Sequence, residues 1–202
     1  MATHIVVNPD LDTYSTLEKA FLDVSGEPAS ADVTYTVFAA GQAPHTVKVP
    51  INARNFATSP DLFALANKKT ALITAVTTNP TSPSAAVLHQ HLQGSAKAAI
   101  SVPSSNRMLG RSFNIPISDL SGGAKLFIGN PNTAPANIAV QNGATATPAV
   151  AQITVGPLSV GTVKIAQAES NLIVNVTSGG TVVVQAAIGP RFLVVFPIGP
   201  AV

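Results

Sequence analysis

The chain has 202 residues, a formal net charge of +2, no cysteine and no tryptophan; 10% of its residues are charged and 46% are hydrophobic. The length suits one large or two small domains with a buried core, while the charged fraction falls far below the roughly 25% of an ordinary soluble domain. Missing cysteine excludes disulfide frameworks and thiolate metal sites, and without a basic run beyond Lys68-Lys69 there is no stripe to release counterions from nucleic acid.

The opening "MATHIVVNPD" has neither the basic start nor the long apolar run of a signal peptide. Strands are expected at "HIVVN" (4–8), "ADVTYTVFA" (31–39), "HTVKVPI" (45–51), "TALITAVTT" (70–78) and "SAAVLHQHL" (84–92), where β-branched residues run up to Gly, Pro or Asn. The second half continues with "AKLFIGN" (124–130), "ANIAVQN" (136–142), "AQITVG" (151–156), "GTVKIAQ" (161–167), "NLIVNVT" (171–177), "TVVVQAAI" (181–188) and "RFLVVFP" (191–197). Turn signals separate them at Gly41-Gln42, Asn79-Pro80, Gly122-Gly123, Asn142-Gly143, Gly156-Pro157 and Gly179-Gly180.

Two short helices are expected in the first half. "STLEKAFLDVSG" offers Ser15 as cap, Glu18 three residues on, and Gly26 at the end, with Leu17, Phe21, Leu22 and Val24 as an apolar face. "SPDLFALAN" offers Ser59 as cap, Pro60 at the first helical position and Asn67 as a left-handed stop. The most apolar stretch, "TVVVQAAIGPRFLVVFPIGPAV", is broken by Gly189-Pro190-Arg191 and Pro197 and reads as two buried strands, not as a membrane span.

An internal repeat pairs "HIVVNPD" (4–10) with "LFIGNPN" (126–132), and "ALITAVTTNPTSPSAAVLHQHL" (71–92) with "NLIVNVTSGGTVVVQAAI" (171–188). It implies an all-β chain of two tandem antiparallel β-sandwich units, 1–103 and 112–202, with a linker around 104–111 and both helices in the first unit. Many short strands at close spacing support sandwiches. The strand spacing, the two Asn-Pro openings and the scarcity of charge resemble tandem immunoglobulin-like or jelly-roll-like modules of phage virions and bacterial surfaces. That resemblance has no diagnostic motif and transfers no functional residue.

Chemistry-bearing residues are few. His89 and His91 alternate on one strand and share a side, but a metal needs further ligands that nothing in the sequence places. Asp10 and Asp12 read as carboxylates capping the helix that follows, because no Gly completes a calcium loop. Residues 120–202 hold Glu169 alone as an acid, so no glycosidase pair assembles there. No nucleophile elbow, zinc-protease helix, P-loop or dinucleotide motif occurs. Asn175-Val-Thr177 matches a glycosylation sequon but falls within a strand. The expectation is therefore no enzyme, no cofactor and no metal.

What remains points to contact surfaces. Arg107, Arg111 and Arg191 stand isolated among apolar residues, and arginine is enriched in interfaces, which singles out the 107/111 pair. The uncharged stretch 171–190 reads as a Gly-Gly hairpin with Val174, Val176, Val182 and Val184 on one side and Ile173, Asn175, Thr177, Val183 and Gln185 on the other. Its second side needs a neighbour. The candidate interface is thus Arg107, Arg111, Asn175, Val183 and Gln185. The expected role is a structural protein of a virion (capsid, decoration or minor component), assembled with copies of itself or with other subunits, with no nucleic-acid partner and no membrane span. The alternative is a secreted or cell-surface bacterial module for adhesion or carbohydrate binding.

Overall fold

The computed structural model describes residues 2–9, 17–25, 31–52, 54–78, 85–92, 97–102, 108–116, 124–143, 149–165, 171–188 and 194–201. Its chain divides into two compact units, Met1–Asn106 and Arg107–Val202. The first holds β1 (Ala2–Asn8), β2 (Leu17–Ser25), β3 (Asp32–Ala39), β4 (His45–Pro50), β5 (Phe56–Thr58), α1 (Leu62–Leu65), β6 (Ala71–Thr77), β7 (Ala86–Leu92) and β8 (Lys97–Val102). The second holds β9 (Ser112–Pro116), β10 (Ala124–Asn130), β11 (Ala136–Asn142), β12 (Ala151–Val155), β13 (Ser159–Ile165), β14 (Asn171–Ser178), β15 (Val183–Ile188) and β16 (Val194–Ile198).

Each unit contains two four-stranded sheets. They run β1-β6-β3-β4 and β5-β2-β7-β8 in the first, and β12-β11-β14-β9 and β13-β10-β15-β16 in the second. Every pairing of these strands is antiparallel. Counting strands afresh within each unit, both give the same two orders, 1-6-3-4 and 5-2-7-8. The fold is all-β, and the two units share one strand order.

That order revises the sequence repeat. The 71–92 and 171–188 segments are the sixth and seventh strands of their units, so this correspondence agrees with the topology. "HIVVN" is a first strand whereas "AKLFIGN" is a second, so the Asn-Pro pairing joins non-equivalent strands. Nor are the two long segments hairpins. β6 and β7 lie in different sheets, as do β14 and β15, so each segment arches from one sheet to the other. The apolar sides of β14 and β15 then meet inside the second sandwich, with Val174, Val176, Val182 and Val184 in one core. An uncharged arch lets both strands bury an alternating valine face without pairing to each other.

The core of the second unit draws on both sheets, with Phe113 and Ile115 of β9, Leu126 and Ile128 of β10, Ile138 and Val140 of β11, and Leu172 of β14 all buried together. In the first unit two side chains tie sheet to sheet. Tyr35 on β3 donates its hydroxyl to Ala57 O on β5 at 2.8 Å, and Gln90 Nε2 on β7 donates to Asn8 Oδ1 on β1 at 3.0 Å.

Residues 17–25 form a strand, not the expected helix. From Ala20 onward burial alternates, with Ala20, Leu22 and Val24 buried and Phe21 and Asp23 half-buried. The register sets Ala20, Leu22 and Val24 opposite Gln90, Leu88 and Ala86. A helix of this length is marginal in water, whereas the strand fills a central position between β5 and β7 and buries its period-two face. The second expected helix shrinks to one turn, α1, and its cap is Asp61, whose side chain accepts from Phe63 N at 3.1 Å and Ala64 N at 3.3 Å. Ser59 Oγ instead accepts from Leu22 N at 2.9 Å and donates to Pro60 O at 2.8 Å, binding the turn to β2. Asn67 does end the turn in the left-handed region, with φ 52°, and Lys68 follows at 58°.

Among the described residues no helix is long and apolar enough to cross a membrane.

Candidate functional site: an uncharged polar sheet face

In β12-β11-β14-β9 the alternation of each strand sends apolar side chains inward. Phe113, Ile115, Ile138, Val140, Leu172, Val174 and Val176 are all core. The intervening positions form the outer face: Ser112 and Asn114 on β9, Asn171, Ile173, Asn175 and Thr177 on β14, Asn137, Ala139 and Gln141 on β11, Gln152 and Thr154 on β12. No Lys, Arg, Asp or Glu occurs among them. The face is polar because it carries amides and hydroxyls.

Those groups are bonded to one another across strands. Ser112 Oγ donates to Asn175 Oδ1 at 2.9 Å, and Asn175 Nδ2 donates to Gln141 Oε1 at 3.2 Å, so one row runs from β9 through β14 to β11. Asn171 Nδ2 reaches Asn114 Oδ1 at 2.8 Å. At the other end Thr154 Oγ1 donates to Asn137 Oδ1 at 2.7 Å, Asn137 Nδ2 to Ser178 Oγ at 2.7 Å, and Thr177 Oγ1 to Asn137 O at 3.2 Å. Cross-strand amide and hydroxyl pairs of this kind each contribute up to about 1 kcal/mol and fix side-chain positions. An open depression of about 450 Å³ lies over this end, lined by Asn137, Ala139, Gln152, Thr154 and Thr177 with Ile138 and Ile153. It can accept neutral hydrogen-bonding partners and offers no ionised group for acid–base work.

Of the five residues expected at an interface, the four that are described fall on two sheets: Arg111 and Asn175 lie beside each other at β12-β11-β14-β9, and Val183 and Gln185 lie on β13-β10-β15-β16. Asn175 sits at the centre of the polar face. Arg111 is exposed next to it, donating Nη2 to Val176 O at 3.4 Å while its backbone carbonyl accepts from Val176 N at 2.7 Å. Val183 and Gln185 belong to β15 in the other sheet. They are 2% exposed in the single chain, so the chain itself already covers their side. Neighbouring outward residues share this burial: Phe127 and Ala187 are fully buried, and Lys125 is 6% exposed with its ammonium 5.1 Å from the Phe127 ring centre. Arg107 and Arg191 lie outside the described residues, as do Asp10, Asp12 and Glu169.

His89 and His91 do share the outward side of β7. Each has its own neighbour: His89 Nε2 is 3.1 Å from Asp23 Oδ2, and the His91 ring packs edge-on to Phe21 at 5.6 Å. No group of three His, Cys, Asp or Glu able to hold a metal occurs among the described residues.

Sequence reasoning passed over Ser112, Asn137, Gln141, Gln152 and Thr154. The signal was present: "ANIAVQN" and "AQITV" alternate neutral polar with apolar residues, which marks a strand with one solvent face. No protein-family model, curated protein or solved structure matches the chain.

Proposed function

We propose that this chain is a non-catalytic structural protein of a large assembly, a virion component that packs through charge-poor β faces. The observation that carries this reading is the outer face of β12-β11-β14-β9, an exposed surface with no ionised side chain and with most of its amides and hydroxyls held by hydrogen bonds within the sheet. A free soluble protein relies on surface charge to oppose self-association. A subunit that spends its life covered does not, and side chains already held in place lose little entropy on contact.

The test is sedimentation velocity of the purified chain over a wide concentration range, with electron microscopy of the native source. Concentration-dependent assembly that persists in salt supports the reading, because screening weakens charge contacts and not neutral ones. A chain that stays monomeric throughout, from a source with no particle containing it, overturns it. The depression over Asn137, Gln152, Thr154 and Thr177 favours one second reading, a surface module holding a neutral glycan, and specific retention on a glycan array would select that instead.

A further inference from the structure

We infer that β12 is the edge at which a second copy of this chain adds its own β12, joining two sheets into one; this rests on the assembly reading above and names where copies meet. An uncovered edge strand exposes a row of backbone N–H and C=O groups, and proteins protect such edges with Lys, Pro, shortness or a covering segment. Seven of the eight edges here have such a device. The sequence of β4 holds Lys48 and Pro50, that of β8 Lys97, that of β13 Lys164 and that of β16 Pro197. β5 has only 3 residues. β1 is buried from His4 to Asn8, and β9 ends in Pro116 with Ser112 O already taken by Ala201 N at 2.7 Å. β12, "AQITV", has no charge and no proline, Gln152 and Thr154 along it are exposed, and the side-chain bond it accepts falls at its last residue, Val155 O from Asn130 Nδ2 at 3.1 Å. Immediately before it stands Val150, 48% exposed and the one large hydrophobic residue exposed among those described.

The occupant follows from the sequence of the edge itself. A two-fold axis through Ile153 makes the new pair antiparallel, as β11–β12 already is, and sets Ala151 opposite Val155 and Gln152 opposite Thr154 of the second copy. Apolar residues then meet apolar ones on the core side, and an amide meets a hydroxyl on the outer side. Gly156 of the second copy faces Val150 and leaves room for it. Without charge on either strand, two identical edges approach with no repulsion, and alternate residues supply backbone groups directed away from β11. The depression lined by Asn137, Gln152 and Thr154 lies along the seam and would be continued by its symmetry mate.

The experiment uses the full chain. In sedimentation velocity, Gln152→Lys puts two ammonium groups on diagonal positions of the seam and should weaken association about tenfold or more, while far-UV circular dichroism and the urea midpoint stay unchanged because Gln152 is exposed. The chain has no cysteine of its own, so single-cysteine reporters are unambiguous. Oxidising a mixture of Gln152→Cys and Thr154→Cys chains should yield more disulfide-linked dimer than either variant alone. This arm needs no destabilised protein. A wild-type chain that assembles, with Gln152→Lys assembling equally well or no excess cross-linking in the mixture, overturns the β12 seam and leaves the assembly reading standing. A wild-type chain that never associates overturns both.

Discussion

Asn130 and Asn132 lock onto each other. Asn130 Oδ1 accepts both the backbone N–H of Asn132 at 3.0 Å and its Nδ2 at 2.7 Å. The pair then reaches outward. Asn130 Nδ2 donates to Ala134 O, Val155 O and Gly156 O at 2.8, 3.1 and 3.0 Å, and Asn132 Nδ2 donates to Thr181 O at 2.7 Å. Three connections, β10–β11, β12–β13 and β14–β15, are thereby held by two side chains, one of them, Asn130, wholly buried.

Asn130→Ala should destabilise the second unit by about 3 kcal/mol, since several buried backbone groups lose their partner. Asn130→Asp should cost more despite its similar shape, because the carboxylate oxygen that replaces Nδ2 would face three carbonyl oxygens and donate to none of them. Urea midpoints of the two variants check the order; an aspartate variant as stable as the wild type would show that the amide donates nothing of consequence.

The arch between β14 and β15 depends on two glycines for different reasons. Gly179 has φ +97°, and a Cβ there would lie 2.6 Å from Pro135 O. Gly180 is not in the left-handed region, but its Cβ would lie 2.6 Å from the Asn132 side chain. Gly41, also at positive φ (+75°), has nothing within 4 Å of the added carbon. Gly41→Ala should therefore cost only the conformational penalty, about 1 kcal/mol, and Gly179→Ala clearly more. Thermal melts of both variants decide; equal losses would mean that backbone conformation alone matters.

Twelve of the sixteen described strands were readable because Val, Ile and Thr runs end at turn residues, and each expected strand has a counterpart in the structure, but β2 was expected as a helix and β5, β8 and β9 were not expected at all. What the sequence concealed was partnership. "NLIVNVTSGGTVVVQ" has the local signature of a hairpin, yet the two strands pair with β11 and β10 in separate sheets. Local pattern sets which residues face inward, and it did so correctly for Val174, Val176, Val182 and Val184; only long-range burial decides which sheet a strand joins. Residues 17–25 failed for a related reason, since a capping pattern and an alternating pattern overlap there and the sheet selects the second. The polar face was visible as alternation, but its hydrogen bonds depend on register between strands far apart in sequence, as with Ser112 and Asn175.

Gln185 carries both amide atoms buried with no hydrogen-bond partner among the described residues and is 2% exposed. Replacing a buried unsatisfied amide with an apolar group of similar shape removes a desolvation penalty. Gln185→Met should stabilise the chain by about 1 kcal/mol, whereas Val183→Lys on the same strand should unfold it by burying an unpaired ammonium. Denaturant titration with circular dichroism checks both. A folded, stable Val183→Lys chain would show that this side of β15 opens to solvent.

Tyr35 supplies the alkaline limit. Burial pushes its phenol well above the ordinary tyrosine range, and the nearby Asp23 charge adds to the shift. The hydroxyl is the donor to Ala57 O, so the native state holds the proton that the unfolded chain releases near pH 10. A group whose folded pKa is raised stabilises fully below its unfolded value, and that contribution falls as pH rises beyond it. Stability should therefore decline above about pH 10, with ionisation of Tyr35 favouring the unfolded chain. Tyr35→Phe should lose about 1 kcal/mol at neutral pH, the net worth of the hydrogen bond, yet fall less steeply between pH 9 and 11. Urea titrations of both proteins across that alkaline range give the comparison. Parallel declines would assign the alkaline loss to other groups and would remove Tyr35 as the titrating link between β3 and β5.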